Sequence, residues 1–414
     1  MRRSTQPSGP RWTPAASPIV AAINIGSSSI KFALFRRSTG TPLVEQIASA
    51  KVEHIGSSDG SITIRDDAGR AGVRSRLRTN DLSSAMVELF SWIESSKYHD
   101  RIGAIGHRIV TGGLRFSAPQ PVTPALLRAI RHLAPLDPDH LPAELQGIRM
   151  VQRRIPHAFQ VVCFDTAFHR TMPRVAQLYA LPRRMATEGL IRYGFHGLSC
   201  EYIVGALTAL DARRILPSRL IVAHLGNGCS MTAIRNGRSV ETTMGFTPTG
   251  GLVMSTRPGD LDPEVVVYLA EHLRQTPTRL SHFLNRNAGL LGISGTSGDM
   301  RTLQRRAPRD RRAREAVDLF CYHAGKALGS LTAALGGLDA LVFTGGIGEN
   351  DAVVRERISA FGHHLGIRID PRRNAVGRAV ISTKASAVSV RVIPTNEERV
   401  IAAHTLRLWS HRTR

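Results

Sequence analysis

The chain has 414 residues, of which 42% are hydrophobic and 21% charged. That balance describes a soluble globular protein long enough for two domains with two cores, and no apolar run reaches the roughly eighteen residues of a membrane span. The formal net charge of +23 raises a nucleic-acid partner. The arginines, however, are spread in short runs such as Arg153-Arg154, Arg183-Arg184 and Arg311-Arg312, without interleaved aromatics. An arginine-rich chain acting on small anions is the preferred reading, with no nucleic acid and no membrane as partner.

Four scattered cysteines, Cys163, Cys200, Cys229 and Cys321, form no Cys-x-x-Cys pair. They argue against a zinc site or a disulfide framework and for a reducing cytoplasm. Residues 1–17 are rich in Ser, Pro, Thr and Arg, with Trp12 the one bulky apolar residue. They read as a disordered basic extension without a signal-peptide core.

The run Ile19 to Ile25 ends in Gly26 and three serines, and Ile30, Phe32 and Leu34 then alternate with Lys31 and Ala33. This predicts a strand, a tight turn and a second strand. The turn gathers Asn24, Gly26, Ser27, Ser28, Ser29 and Lys31. Such small donors beside one cation suit a phosphate, although Ser and Gly also make ordinary turns. Leu43 to Arg78 reads as further short strands, including Ser61 to Ile64 after Asp59-Gly60. Asp81 to Lys97 has a helical apolar face. Ile102 to Ile105 is a short strand expected to run into a turn carrying Arg108. Pro124 to Leu133 is helical, and the prolines from Pro135 to Pro142 interrupt it. Val161 to Phe164 is a strand ending at Asp165.

Leu220 to Leu225, followed by Gly226-Asn227-Gly228 and a return strand over Met231 to Ile234, repeats the opening pattern. Asn236-Gly237 turns the chain again. A helix over Arg314 to Leu335 stops at Gly336-Gly337, the usual place for a glycine cap. Leu338 to Phe343 then leads into a third glycine turn from Thr344 to Asn350. Strands alternate with helices in both halves, so the class is α/β. The repeated strand-to-glycine pattern predicts two similar lobes facing a cleft.

Several turns carry groups suited to phosphoryl transfer. Asp165 ends a buried strand, where carboxylates commonly line sites, although an Asp there can simply cap a helix. His196 lies between Gly194 and Gly197 on an expected loop, and Arg257 sits in Thr256-Arg257-Pro258-Gly259. One histidine and two arginines could clamp a transferring phosphoryl group, a step that needs positioning and cations more than covalent chemistry. No His-Glu-x-x-His helix, Gly-x-Ser-x-Gly elbow or Walker loop is present.

Seven motifs together resemble the acetate kinase family. They are Asn24-Ile25-Gly26-Ser27-Ser28-Ser29-Ile30-Lys31, Gly106-His107-Arg108, Phe164 to His169, Arg192 to Gly197, His224 to Gly228, Thr256 to Asp260 and Thr395-Asn396-Glu397-Glu398. They span residues 24–398 in the family's order. The resemblance implies the acetate and sugar kinase, Hsp70 and actin superfamily, in which each lobe has a ribonuclease H-like core. The lobes are expected at 18–165 and 166–396, with a helix over 397–414 packing back on the first.

By the same resemblance, Asn24 and Glu397 are associated with Mg2+. Lys31, His224, Leu225, Gly226, Asn227, Gly228, Asp299, Met300, Arg301, Gly346, Ile347, Gly348, Glu349 and Asn350 contact ATP or ADP. Arg108 and Arg257 hold the carboxylate and the phosphoryl group. Asp165 is the essential aspartate and His196 the transition-state histidine. Val110, Leu136, Phe195 and Pro248 line the acyl pocket. The implied activity is ATP-dependent phosphorylation of a short-chain carboxylate, acetate first and propionate or butyrate as alternatives, in a homodimer.

A non-catalytic actin-like or Hsp70-like nucleotide binder would need no arginine pair. Asp137, Thr111, Thr249-Gly250 and Cys200 depart from the family's pattern. The first two bear on the preferred acid more than on the reaction. A short carboxylic acid is already ionised near neutral pH, so Asp165 is expected to orient an arginine or a metal-bound water, not to accept a proton.

Overall fold

The structure is a computed structural model that describes residues 18–412, apart from 27–28, 39, 41–42, 57–59, 66–70, 78–80, 139 and 211–215. The expected 1–17 extension, Ser27 and Ser28 of the first glycine turn, and Asp59 lie outside the described residues.

The first strand, β1 (Ile19–Ile25), is buried along almost its whole length, because a helical layer covers each face of its sheet. Ile19, Ala21, Ile23 and Ile25 point into a core with Met86, Leu89 and Phe90 of the helix Leu82–Ser95 and Met150 and Val151 of the helix Leu141–Arg154. The alternate residues Val20 and Ala22 meet Val400, Ile401 and Leu406 of the helix Glu397–Arg412. A two-residue period with both faces apolar is the pattern of a central strand.

Around it lie β2 (Ile30–Arg37), β3 (Val44–Glu53), β4 (Ser61–Arg65), β5 (Ala71–Arg76), β6 (Ile102–Ile109), β7 (Gln120–Pro121) and β8 (Phe159–Phe164), in the order β5-β4-β3-β2-β1-β6-β8-β7. A second sheet holds β9 (Arg219–Leu225), β10 (Cys229–Arg235), β11 (Arg238–Thr242), β12 (Ala340–Thr344) and β13 (Ser389–Val392), in the order β11-β10-β9-β12-β13.

Both sheets contain the same five-strand unit. β1, β2 and β3 pair antiparallel while β6 and β8 add parallel to β1. β9, β10 and β11 pair antiparallel while β12 and β13 add parallel to β9. This duplicated arrangement is the one implied by the repeated glycine turns. The helix Gly197–Leu210 packs on the second sheet through Cys200, Ile203 and Leu207. It also meets the helix Glu397–Arg412, where Leu198 and Tyr202 join Val400 and Ile401, so two helices lie between the sheets. No helix among the described residues is long and apolar enough to cross a membrane.

Three local expectations are corrected. Arg108 is on a strand and not in a turn, because β6 continues to Ile109. Gly106 does not break the strand. A Cβ there would overlap Thr405 and Ile401, so its bare backbone is what admits the C-terminal helix. The third glycine stretch is no turn, since Gly345–Asn350 is helical. Gly345 takes φ 77°, and the Glu349 carboxylate accepts from its N–H at 2.9 Å, so one left-handed residue and one cap convert strand directly into helix. Gly197, expected on the loop that carries His196, is the first residue of a helix.

Candidate active site

The singled-out side chains collect where the parallel strands end, the usual location of sites in α/β sheets. Asn24 and Lys31 face each other across the β1–β2 pair. Arg108 is the penultimate residue of β6, and Asp165 follows β8 directly. His224 occupies the corresponding end of β9.

Asp165 is fully buried and saturated with donors. Its Oδ2 accepts from Arg108 Nη2 at 2.8 Å and from the His196 N–H at 2.9 Å, and its Oδ1 accepts from the Leu198 N–H at 3.3 Å. Burial alone would raise this carboxyl, but the Arg108 charge and these donors hold it well below the usual carboxylate range. Such a group is a poor base and a firm anchor.

His196 has φ 58°, a left-handed backbone that is rare and costs on the order of 1–3 kcal/mol outside glycine. Asp165 helps to hold it there, and Gly194 at φ 73° brings the chain in. The His196 ring bonds Ser230 Oγ through Nδ1 at 2.9 Å and stacks on His224 with ring centroids 4.1 Å apart. Burial, with His224 second, pushes the His196 pKa well below its ordinary value, so the ring is neutral. Its Nε2 lies beside Gly228, where an added Cβ would stand 3.4 Å from it and 3.6 Å from Arg257 Nη1. Gly228, His196 and Arg257 therefore meet at one point.

The Arg257 turn is clamped. Met254 N–H donates to Arg257 O at 3.0 Å, and Gly289, at φ 61°, packs where any side chain would strike both backbones. Arg257 Nη1 donates to Pro248 O at 2.8 Å. Asp260 and Asp262 accept from the Gly251 and Glu264 N–H groups. Val110 and Phe195 are buried at 2% exposure each. The side chain of Leu136 lies outside the described residues.

Among the nucleotide segments, His224 Nδ1 bonds Ser199 Oγ at 2.8 Å, and Ser199 Oγ bonds Thr395 at 2.9 Å. Glu349 Oε1 accepts from the Thr395 N–H at 3.1 Å. Asp299 caps the helix Met300–Arg306 through the Thr302 N–H. Asn227, Asp299, Arg301, Gly346 and Asn350 are exposed, and Gly226, Gly228 and Ile347 are half-buried. Leu225, Met300 and Gly348 are buried.

The model of the Acetokinase family matches residues 19–403. The chain belongs to this family. It is 43% identical over 394 residues to an acetate kinase of Rhodopseudomonas palustris strain TIE-1, covering 95% of this chain and 98% of that protein. It is 41% identical over 396 residues to acetate kinase 1 of Neisseria meningitidis serogroup A, covering 94% and 98%. A crystal structure of a propionate kinase from Francisella tularensis superposes with a TM-score of 0.86 at 36% identity, over 94% of this chain and 99% of that one. The acetate kinase of Porphyromonas gingivalis gives 0.80 at 35%, over 95% and 100%.

For an acetokinase, the fit of a divalent cation can be tested on the residues present. Asn24 Nδ2 donates to Glu397 Oε2 at 2.9 Å. Beside them the Glu398 carboxyl is raised by burial, and its Oε1 is buried without a partner. Among the described residues no three His, Cys, Asp or Glu side chains form a metal cage. Two carboxylates and an amide oxygen are a hard, incomplete oxygen set, which fits a divalent cation that keeps waters and substrate phosphates as its other ligands. Burial works against the Lys31 ammonium, but Glu397 and Glu398 more than offset it and raise its pKa.

Four residues of this cluster were given no role in the sequence reading: Glu144, Ser230, Arg355 and Glu398. Glu144 is completely buried beside Arg108 and Val110. Arg355, also buried, donates to the Gly348 and Glu349 carbonyls and so holds the helix Gly345–Asn350. Glu398 stands next to Glu397 in the last motif, which is the one signal that could have found it. Three of the departures from the family's pattern make local hydrogen bonds, although Asp137 Oδ2 is buried without one. Thr111 Oγ1 accepts from the Gly113 N–H, Asp137 Oδ1 accepts from the His140 N–H, and Thr249 Oγ1 donates to Asn285.

Proposed function

We propose that the protein phosphorylates a short-chain carboxylate with ATP, acetate first, forming an acyl phosphate and ADP reversibly by direct in-line transfer. The observation that carries this reading is the meeting of two arginines, a neutral histidine and a pinned aspartate, in a chain of the Acetokinase family. A carboxylate oxygen attacks the γ-phosphorus while the bond to the β,γ-bridging oxygen breaks. The nucleophile carries its charge already, so no proton leaves it.

Arg108 and Arg257 offset the repulsion between the incoming carboxylate and the γ-phosphate. His196 offers Nε2–H to an equatorial oxygen, which requires Ser230 to donate to Nδ1. Asp165 orients Arg108 and the His196 backbone. Val110, Leu136, Phe195 and Pro248 enclose the acyl tail. Lys31 and the segments at His224 to Gly228, Asp299 to Arg301 and Gly346 to Asn350 hold the nucleotide. Asn24, Glu397 and Glu398 are the residues for Mg2+, which when bound neutralises charge on the phosphates.

We take the chain to divide into two lobes near residue 165; these groups then come from both, and lobe closure would exclude water. We also take the protein to be a cytoplasmic homodimer. The helix Pro263–His272 buries none of its residues and exposes Val265, Val267 and Tyr268, apolar surface that a second copy would cover. A single-subunit mass in solution would remove the dimer. Buried free cysteines fit a reducing compartment.

A hydroxamate assay with acetate, propionate and butyrate in parallel tests the activity. Acyl phosphate should form with ATP and at least one of the three. No product from any of them would overturn the reading.

A further inference from the structure

We propose that Glu144 is a positioning residue that fixes the carboxylate subsite, locking the acyl-pocket wall to the anion-binding arginine. The inference rests on the kinase reading above. Glu144 lies in the first turn of the helix Leu141–Arg154, and its side chain is fully buried. Both of its oxygens receive the Val110 N–H, at 3.2 and 3.0 Å, and Oε1 also receives Arg108 Nη1 at 3.4 Å. Arg108 gives its other arm to Asp165 at 2.8 Å. One carboxyl group therefore sets the position of Val110, which lines the acyl tail, relative to Arg108, which meets the acid's charge.

The charge on Glu144 matters as much as its place. A guanidinium held between two ionised carboxylates has no net charge left for an incoming anion, and the trio is negative overall. A guanidinium paired with Asp165 alone is neutral, and an anion can approach it. The groups that face Glu144 are Arg108 on β6, Asp137 in the turn before its helix, and Asp165 after β8. Asp137 is itself buried, and its Oδ2 has no partner. Burial, opposed by Arg108 and the Val110 N–H and aided by Asp137, pushes the Glu144 carboxyl up to about 8. At neutral pH the group is thus protonated: it still accepts the Val110 N–H but leaves Arg108 to Asp165 and the substrate. Ionisation above that pH draws Arg108 back and sets a negative charge beside the subsite.

The test is the pH dependence of the two Michaelis constants, measured on the full chain and on Glu144→Gln and Glu144→Ala. The wild-type KM for the carboxylate should be flat near neutral pH and rise about tenfold by about pH 9, while the KM for ATP moves far less. Glu144→Gln keeps the shape and fixes the neutral form. It should match the wild type at neutral pH within about threefold and lose the alkaline rise. Glu144→Ala leaves the Val110 N–H unmet and Arg108 loose. It should raise the carboxylate KM about tenfold at every pH, with the KM for ATP changing little and the melting temperature falling by a few degrees.

A carboxylate KM that rises identically in the wild type and Glu144→Gln overturns the proposal, as does a flat wild-type profile. A Glu144→Gln enzyme as weak as Glu144→Ala at neutral pH also overturns it. Each of these outcomes leaves the kinase reading standing, because each requires an active wild type. A wild type that makes no acyl phosphate ends both.

Discussion

Arg257 shows how a single side chain is aimed before any ligand arrives. Its turn is braced by Gly289 and by the Met254–Arg257 backbone bond, and one nitrogen is parked on Pro248 O. A donor held this way gains most where charge develops, in the transition state. Arg257→Ala should therefore cut turnover by at least ~10²-fold, as loss of one preorganised donor typically does. Nucleotide affinity should stay near the wild-type value, because the proposed adenosine contacts lie elsewhere. Arg257→Lys should recover little, since an ammonium lacks the planar, two-pronged geometry. Turnover, nucleotide affinity and melting temperature measured on both variants decide it. Normal turnover in Arg257→Ala would remove this residue from the site.

At the scale of elements, the contact that positions Arg108 is between a strand and a helix distant in sequence. β6 can lie against the helix Glu397–Arg412 only because Gly106 presents bare backbone to Thr405 and Ile401. The same helix carries Glu397 at its first turn, so its seating sets both Arg108 and the Asn24–Glu397 pair. Gly106→Ala should lower stability by about 1–3 kcal/mol through overpacking and reduce turnover at the same time. Adding Ile401→Ala should restore part of both. Urea unfolding and turnover of the single and double variants check this. An unchanged unfolding midpoint in Gly106→Ala would mean that the helix is not seated on that backbone.

Across the whole molecule, buried titratable groups set the pH range in which the fold is stable. His107 and His169 are buried neutral rings, with pKa values lowered by burial to about 4. His107 bonds Gln160, and His169 bridges Ser239 and Phe195 O. In the unfolded chain both titrate near the ordinary value of about 6.5. The unfolded state therefore binds more protons between about pH 6.5 and about pH 4, and stability falls as pH drops through that window. Each ring contributes on the order of 3 kcal/mol at the acid end. Glu144 has the opposite sign: its raised pKa makes stability fall as pH rises from the ordinary glutamate value towards about 8. His107→Asn should flatten the acid limb of a plot of unfolding midpoint against pH, and Glu144→Gln the alkaline one. Parallel curves for wild type and either variant would contradict the assignment for that residue.

The local signals belonged to the sequence by itself. The first strand followed from apolar residues at every position of Ile19 to Ile25 except Asn24, and the duplication from two strand-to-glycine-to-strand patterns. The family followed from seven motifs in register. These properties depend on residue type and spacing over a few residues, which is what a periodicity can report. Only the tertiary structure decided which of those residues share a site. Asn24 and Glu397 are 373 positions apart and in hydrogen-bond contact, and no local pattern encodes such a pair. No motif or periodicity in the sequence singled out Glu144. Its chemistry comes from being covered by β6 and aimed at Arg108, and desolvation depends on what the rest of the chain places over a group, not on its neighbours in sequence.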